Sequence, residues 1–282
     1  MRSSTFIKNI SFNSIGFILQ VALVILATPI LIKGLGIELF GIWILVNSII
    51  GYFSFTQGIS NSTIKFISDF YSNKNYDMVN VTYTISTFIF SFIALVLSTL
   101  VYFFSNELPN FFKLSENLSS TFVIVFQLAS ISLFLSIINS IFDSILKGLQ
   151  RFDIFNVISI IISVITYIGY ILLIKYDYSI IEMVCLTISL KLFRLIMIYF
   201  ITKAYFPFLE IKYSLDMSYV KEFRNYSIYS AGSSLIAQSY HHIDKFLISS
   251  LISVSALSFY SIPNRLLIRL KGLVNKICEV CF

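Results

Sequence analysis

Eight apolar runs, each about 20 residues long and separated by short polar turns, fill this 282-residue chain. They cover residues 10–32, 39–58, 81–104, 118–142, 155–174, 180–202, 226–247 and 256–274. A run of that length matches the roughly 30 Å hydrocarbon core of a bilayer when it is helical. Backbone in lipid must satisfy its own hydrogen bonds, so consecutive runs of this kind fold as helices. The expected fold is therefore an all-α polytopic membrane protein with about eight transmembrane helices. Hydrophobic residues make up 57% and charged residues 12%, against about 25% charged in soluble domains. The net charge of +6 sits in the turns between runs and does not point to nucleic acid. The first run is 23 residues long and no small-residue cleavage site follows it, so it reads as an uncleaved span.

Counting cations along alternate loops orients the chain. The first, third, fifth and seventh loops hold Lys33, Lys113 and Lys175, while the amino end and the other loops hold ten. The positive-inside rule then places both termini in the cytoplasm of a bacterial cell, in its cytoplasmic membrane. Residues 203–224 form the longest polar linker after the first six spans. They divide the chain into a six-helix lobe over 1–202, a cytoplasmic linker over 203–224, and two further helices over 225–282. A faint repeat supports that division. Residues 33–47 align without gaps on 250–264, placing Gly36 on Ser253, Gly41 on Ser258, Trp43 on Tyr260 and Asn47 on Asn264.

Charges inside the spans are the next signal. Lys191 and Arg194 lie three apart in the sixth span, on one helix face with Thr187 and Ile198. Each cation costs about 2.5–3.5 kcal/mol near the bilayer centre, so the face either turns from lipid toward other helices or a watery cavity, or the pair snorkels to the cytoplasmic surface or bonds carbonyls. Arg265 and Arg269 lie four apart in the eighth span; Arg265 near mid-span reads equally as cavity lining or as an interfacial anchor, and Arg269 reads as an interfacial anchor beside Lys271. Asp244 and Lys245 lie in the seventh span and read as a gate, a coupling site or a pair satisfying each other. His241 and His242 are adjacent, point different ways on a helix, and make a poor metal site. Asn13, Gln20, Asn47, Gln57, Gln127 and Asn139 are suited to sugar hydroxyls or to bonding neighbouring helices. Cys278 and Cys281 form one C-x-x-C without a second pair. No G-x-x-x-x-G-K-[ST] loop, nucleophile triad or metal spacing occurs, so no cofactor, no catalytic residue and no metal is expected.

Four stretches carry a resemblance. They are Leu35-Gly-Ile-Glu-Leu-Phe-Gly-Ile-Trp43, Gln57-Gly-Ile-Ser-Asn-Ser-Thr-Ile-Lys65, Lys147-Gly-Leu-Gln-Arg-Phe-Asp-Ile-Phe-Asn156, and Asp244-Lys-Phe-Leu-Ile248 followed by Ala256-Leu-Ser-Phe-Tyr-Ser-Ile-Pro263. In order and placement they resemble the polysaccharide flippases (Wzx-like, O-antigen or capsule transporters) of the multidrug/oligosaccharidyl-lipid/polysaccharide (MOP) superfamily. The resemblance implies two six-helix lobes around a cavity that opens to one side at a time. It implies a cargo of oligosaccharide on a polyprenyl-diphosphate lipid, moved across the cytoplasmic membrane for surface polysaccharide synthesis. Lys191, Arg194 and Arg265 are then candidates for the diphosphate, with Asn47, Gln57 and Gln127 for the sugar, and Asp244 with Lys245 for coupling or gating. About four to six helices of the family's twelve to fourteen have no counterpart before Phe282, so a C-terminally truncated chain is expected. Its expected partners are the lipid-linked oligosaccharide, membrane lipids, and the polysaccharide polymerase machinery or a missing C-terminal half. Within the same reading stand a multidrug-type exporter and a non-transporting remnant. A membrane glycosyl polymerase stands apart, since it calls for a large outer loop, and the longest here is about residues 105–117.

Overall fold

A computed structural model describes residues 3–112, 114–212, 217–261 and 263–264, and every regular element among them is helical. We label them α1 (Ser3–Tyr52), α2 (Gln57–Ser72), α3 (Tyr76–Phe104), α4 (Leu108–Phe111), α5 (Glu116–Gly148), α6 (Phe152–Lys175), α7 (Ile180–Tyr205) and α8 (Met217–Leu251). A 3-10 turn, Phe53–Thr56, joins α1 to α2, and a further helical stretch covers 254–261. Arg265, Arg269 and the Cys278/Cys281 pair lie outside the described residues, as do the side chains of Asn13, Gln20, His241 and His242.

Five stretches are long and apolar enough to cross a membrane: Ala22–Tyr52, Tyr76–Phe104, Leu118–Gly148, Phe152–Lys175 and Ile180–Tyr205. The protein is thus a multi-pass membrane protein. The first stretch holds two of the expected spans. Gly36, at φ 75° and ψ 168°, breaks α1 in a conformation that only glycine adopts without strain. One cavity is lined both by Val24 and Thr28 before the break and by Trp43 and Asn47 after it. A straight helix would separate Val24 from Asn47 by about 34 Å, so the two limbs fold back on each other. By sequence, residues 60–80 read as a polar loop with one amphipathic piece over 63–71; in the structure they are mostly helix. Gly58, Ile59, Ser62, Thr63, Phe66 and Ile67 of α2 are buried, and only residues 73–75 separate α2 from α3. Their small, hydroxylated character reflects close helix packing rather than exposure.

Helix ends follow local chemistry. Ser179 and Glu182 close a capping box at the start of α7, with Ser179 N donating to Glu182 Oε2 at 2.9 Å. Asn75 Oδ1 accepts from Met78 N at 3.2 Å to start α3. The helices α2, α5 and α6 end on a residue with left-handed backbone: Lys74, Gln150 and Asp177, at φ 56°, 59° and 57°. Each sits in the paired bonding of a Schellman motif; at α5, Arg151 N donates to Leu146 O at 2.7 Å and Gln150 N to Lys147 O at 3.0 Å.

The central helix is α5, half of whose most apolar window is buried, against 11% for α6. It packs against α2, α3 and α7, while α1 packs on α6 and α8 lies along α2 and α1. The outer faces of α3, α6 and α7 leave Phe92, Phe103, Ile161, Phe193 and Phe200 exposed, as lipid-facing helices require. The 203–224 linker is not a free tether. Asn80 Nδ2 donates to Phe208 O (2.9 Å) and Asn80 Oδ1 accepts from Glu210 N (3.1 Å), so this stretch is strapped to α3. Helix α8 already begins at Met217. Its N-terminal end is held by an aromatic cluster of Phe66, Phe70, Tyr219 and Phe223, with Tyr219 and Thr82 sharing a hydrogen bond of 2.6 Å.

Candidate functional site

The α5–α7 interface gathers most of the charge buried among the spans. On α5, Ser132, Ser136, Asn139, Asp143 and Lys147 recur at intervals of three or four and form one polar stripe. Opposite stand Lys191 and Arg194 of α7. The Lys191 ammonium donates to Ser132 O (3.2 Å), Ser132 Oγ (2.6 Å) and Ser136 Oγ (2.6 Å). All three of its donors end on neutral oxygens. Arg194 Nη2 pairs with Asp143 Oδ1 at 2.6 Å, and Nη1 donates to Asn139 Oδ1 at 2.9 Å. Asn139 completes the lock by donating from Nδ2 to Lys191 O (3.1 Å) and Leu135 O (2.8 Å). Lys147 lies over the Phe155 ring, 4.0 Å from its centroid. Arg194 and Lys147 thus share a single carboxylate, Asp143, while Lys191 bonds only to the serines.

Sequence reasoning found Lys191 and Arg194 but not Asp143, Ser132 or Ser136. The signal was the hydroxyl and carboxylate spacing down the fourth span, which is legible only when α5 is known to face α7. Gln57 and Thr56 share a cavity of about 210 Å³ with Ser136 and Ser140. Ser136 thus both lines the Gln57 cavity and accepts from Lys191. Gln127 is not brought there; five residues from Ser132, it lies about 140° around α5. Asn47 lies in the larger cavity between α1 and α6, donating from Nδ2 to Trp43 O at 2.6 Å.

Asp244 belongs to a second cluster. Its Oδ2 accepts from the Tyr260 hydroxyl and from Asn264 Nδ2 (3.5 Å), and its Oδ1 from Lys245 N (2.8 Å). Residues aligned by the faint repeat also meet in space. Ser258 Oγ donates to Ile37 O at 2.8 Å, and Gly41 packs directly on Val254 and Ser258. At the α5–α6 turn, Arg151 and Asp153 form a two-pronged pair at 2.9 and 3.0 Å. The hydrogen bond to Asp153 raises the Arg151 pKa above its ordinary value, and the pair fixes the turn. Among the described residues no group of three His, Cys, Asp or Glu side chains could hold a metal ion.

A bundle of long apolar helices with a half-buried polar cluster between two of them defines a multi-pass membrane fold. Two solved structures share it. A MATE protein in complex with MaD3S superposes with a TM-score of 0.72 at 14% identity, covering 95% of this chain and 64% of that one. A MOP superfamily transporter from Pyrococcus furiosus superposes with a TM-score of 0.64 at 11% identity, covering 97% and 68%. Residues 30–281 match the family described as polysaccharide biosynthesis protein, and the chain belongs to it. A protein of Shigella flexneri, provisionally named an O-antigen transporter, is 27% identical over 271 residues. That match covers 94% of this chain and 62% of the relative, so the chain spans about three fifths of that protein's length. The resemblance to polysaccharide flippases drawn from the four stretches agrees with these matches.

Proposed function

We propose that this chain takes part in flipping a polyprenyl-diphosphate-linked oligosaccharide across the bacterial cytoplasmic membrane for surface polysaccharide synthesis. The observation that carries the reading is the cation cluster on α5 and α7. Lys191 is held by hydroxyl and carbonyl oxygens alone, and its charge, with those of Arg194 and Lys147, exceeds that of Asp143. Such a site favours a doubly anionic head group over a neutral or cationic cargo. Gln57, Ser136 and Ser140 supply hydrogen-bonding groups beside it. In this reading residues 1–202 are the first lobe, 203–224 the cytoplasmic linker, and 225–282 the start of a second lobe, with both termini cytoplasmic. Asp244, with Lys245 beside it, serves coupling or gating where α8 meets the 254–264 segment. Membrane lipids, the lipid-linked cargo and the polymerase machinery or a complementary C-terminal half are the partners, and no group acts as a catalyst.

Disruption of the gene tests it. The reading predicts loss of surface polysaccharide and a build-up of lipid-linked oligosaccharide on the cytoplasmic side. Intact polysaccharide with raised sensitivity to cationic drugs would replace it with the multidrug-exporter reading, and no phenotype of either kind with the remnant reading.

A further inference from the structure

A second cavity lies away from the cations. It has a volume of about 460 Å³ and sits between the two limbs of α1 and helix α6, within the ~300–1,000 Å³ of small-molecule sites. Its walls include Thr28, Trp43, Asn47, Ser163, Thr166 and Tyr167. Among the described residues that line it none is charged, so neither a diphosphate nor a cationic drug finds a partner there. Thr28, Ser163 and Thr166 spend their hydroxyl protons on carbonyls four residues back, at 2.6, 2.7 and 2.7 Å. Asn47 spends an amide proton on Trp43 O. What these four side chains have left over is acceptor oxygen and one amide proton of Asn47. Trp43 is only 8% exposed, and its indole N–H, a donor with no acceptor capacity, makes no hydrogen bond among the described residues. Its ring is fixed edge-on by Tyr170, at a centroid distance of 5.4 Å.

A ligand for this cavity must carry many hydroxyl donors, at least one acceptor, no charge, and apolar faces to lie against aromatic rings. That is the chemistry of a neutral sugar. We infer that the cavity is a saccharide subsite: a sugar of the lipid-linked oligosaccharide lies against Trp43 and Tyr167, with its hydroxyls on Asn47, Ser163 and Thr166. The inference rests on the flippase reading for the identity of the cargo and adds where the glycan is held. Its placement is consistent with one cargo reaching both sites. Tyr170 shares a 2.7 Å hydrogen bond with Thr187, which stands one turn, about 6 Å, before Lys191 on α7.

Trp43 is the single tryptophan of the chain, so its fluorescence reports on the cavity directly. The test titrates the full chain in lipid nanodiscs with the neutral oligosaccharide released from the cells' own lipid-linked precursor by mild acid. A saturable change in Trp43 emission is expected. Its midpoint should rise about tenfold or more in Asn47→Leu and in Thr166→Val, and stay unchanged in Phe200→Leu, on the exposed outer face of α7. Thermal melting of each variant confirms that it is folded. No saturable change in the wild-type chain, or a change indifferent to both cavity variants, overturns the inference. Transport of labelled precursor in vesicles separates the two ideas. Transport without a Trp43 response removes the subsite and keeps the flippase; a Trp43 response without transport does the reverse.

Discussion

Replacing Lys191 with methionine should leave the protein folded while weakening its hold on a diphosphate. The side chains are similar in length, and the lysine is buried at the α5–α7 contact. Its three hydrogen bonds are each worth about 1.5–3 kcal/mol for a charged donor. They offset a desolvation penalty of several kcal/mol for the ammonium, so the two sums nearly cancel. Ser136 is not stranded by the change, because its Oγ also donates to Ser132 O at 2.8 Å; only Ser132 Oγ loses its partner. Stability should therefore shift by no more than about 1.5 kcal/mol, or a few degrees of melting temperature. Binding behaves differently. Losing one charge-assisted bond to phosphate costs about 1.5–3 kcal/mol, which is roughly a ten- to hundredfold loss of affinity. The assay pairs thermal melting in detergent with equilibrium binding of polyprenyl diphosphate to the same preparation. Unchanged affinity, or a collapse in melting temperature with no separable binding defect, would show that Lys191 only cements two helices.

Three other perturbations follow from the packing. Asp143→Ala leaves Arg194, 12% exposed, without its carboxylate and should destabilise by about 3 kcal/mol. Adding Arg194→Met should recover most of that in a melting experiment. At Gly58 an added Cβ would stand 2.3 Å from Ala231 N and 2.4 Å from Ala231 Cα; Gly58→Val should push α8 away from α2, cost about 1–3 kcal/mol, and lengthen an α2–α8 distance measured by pulsed EPR. Phe223 is fully buried in the aromatic cluster at the start of α8, so Phe223→Ala should cost about 3–5 kcal/mol and expose 217–231 to proteolysis.

The hydropathy pattern made the helical class and most spans readable, because in lipid an apolar run of that length has one available fold. Helix α2 was legible only in part, as the amphipathic piece over 63–71, for the opposite reason. Gly58, Ser60, Asn61, Ser62 and Thr63 look like loop residues by composition, yet Ser62 and Thr63 return their hydroxyls to Gly58 O and Ile59 O at 3.1 and 3.0 Å. Small polar residues that bond their own helix are indistinguishable in sequence from those that face water. Lys191 and Arg194 announced themselves through their cost in lipid. The acceptors did not, since serine and asparagine carry no such penalty, and Asp143 stands where the fourth apolar run gives way to a charged stretch. The α1–α6 cavity was legible only through Asn47, because Trp43 and Thr166 read as ordinary span residues until the bend at Gly36 folds one limb onto the other.

The central claim is that this chain moves a lipid-linked oligosaccharide, and transport is measured most directly in vesicles. Purified chain is reconstituted with a fluorescent polyprenyl-diphosphate oligosaccharide, alone and together with a separately expressed C-terminal part of a relative. Outward movement of the glycan is read by its accessibility to a membrane-impermeant lectin. The account predicts protein-dependent, saturable translocation in at least one pairing, abolished by Lys191→Met with Arg194→Met. Translocation no faster than in empty vesicles in every pairing, or full activity in the double variant, would contradict it.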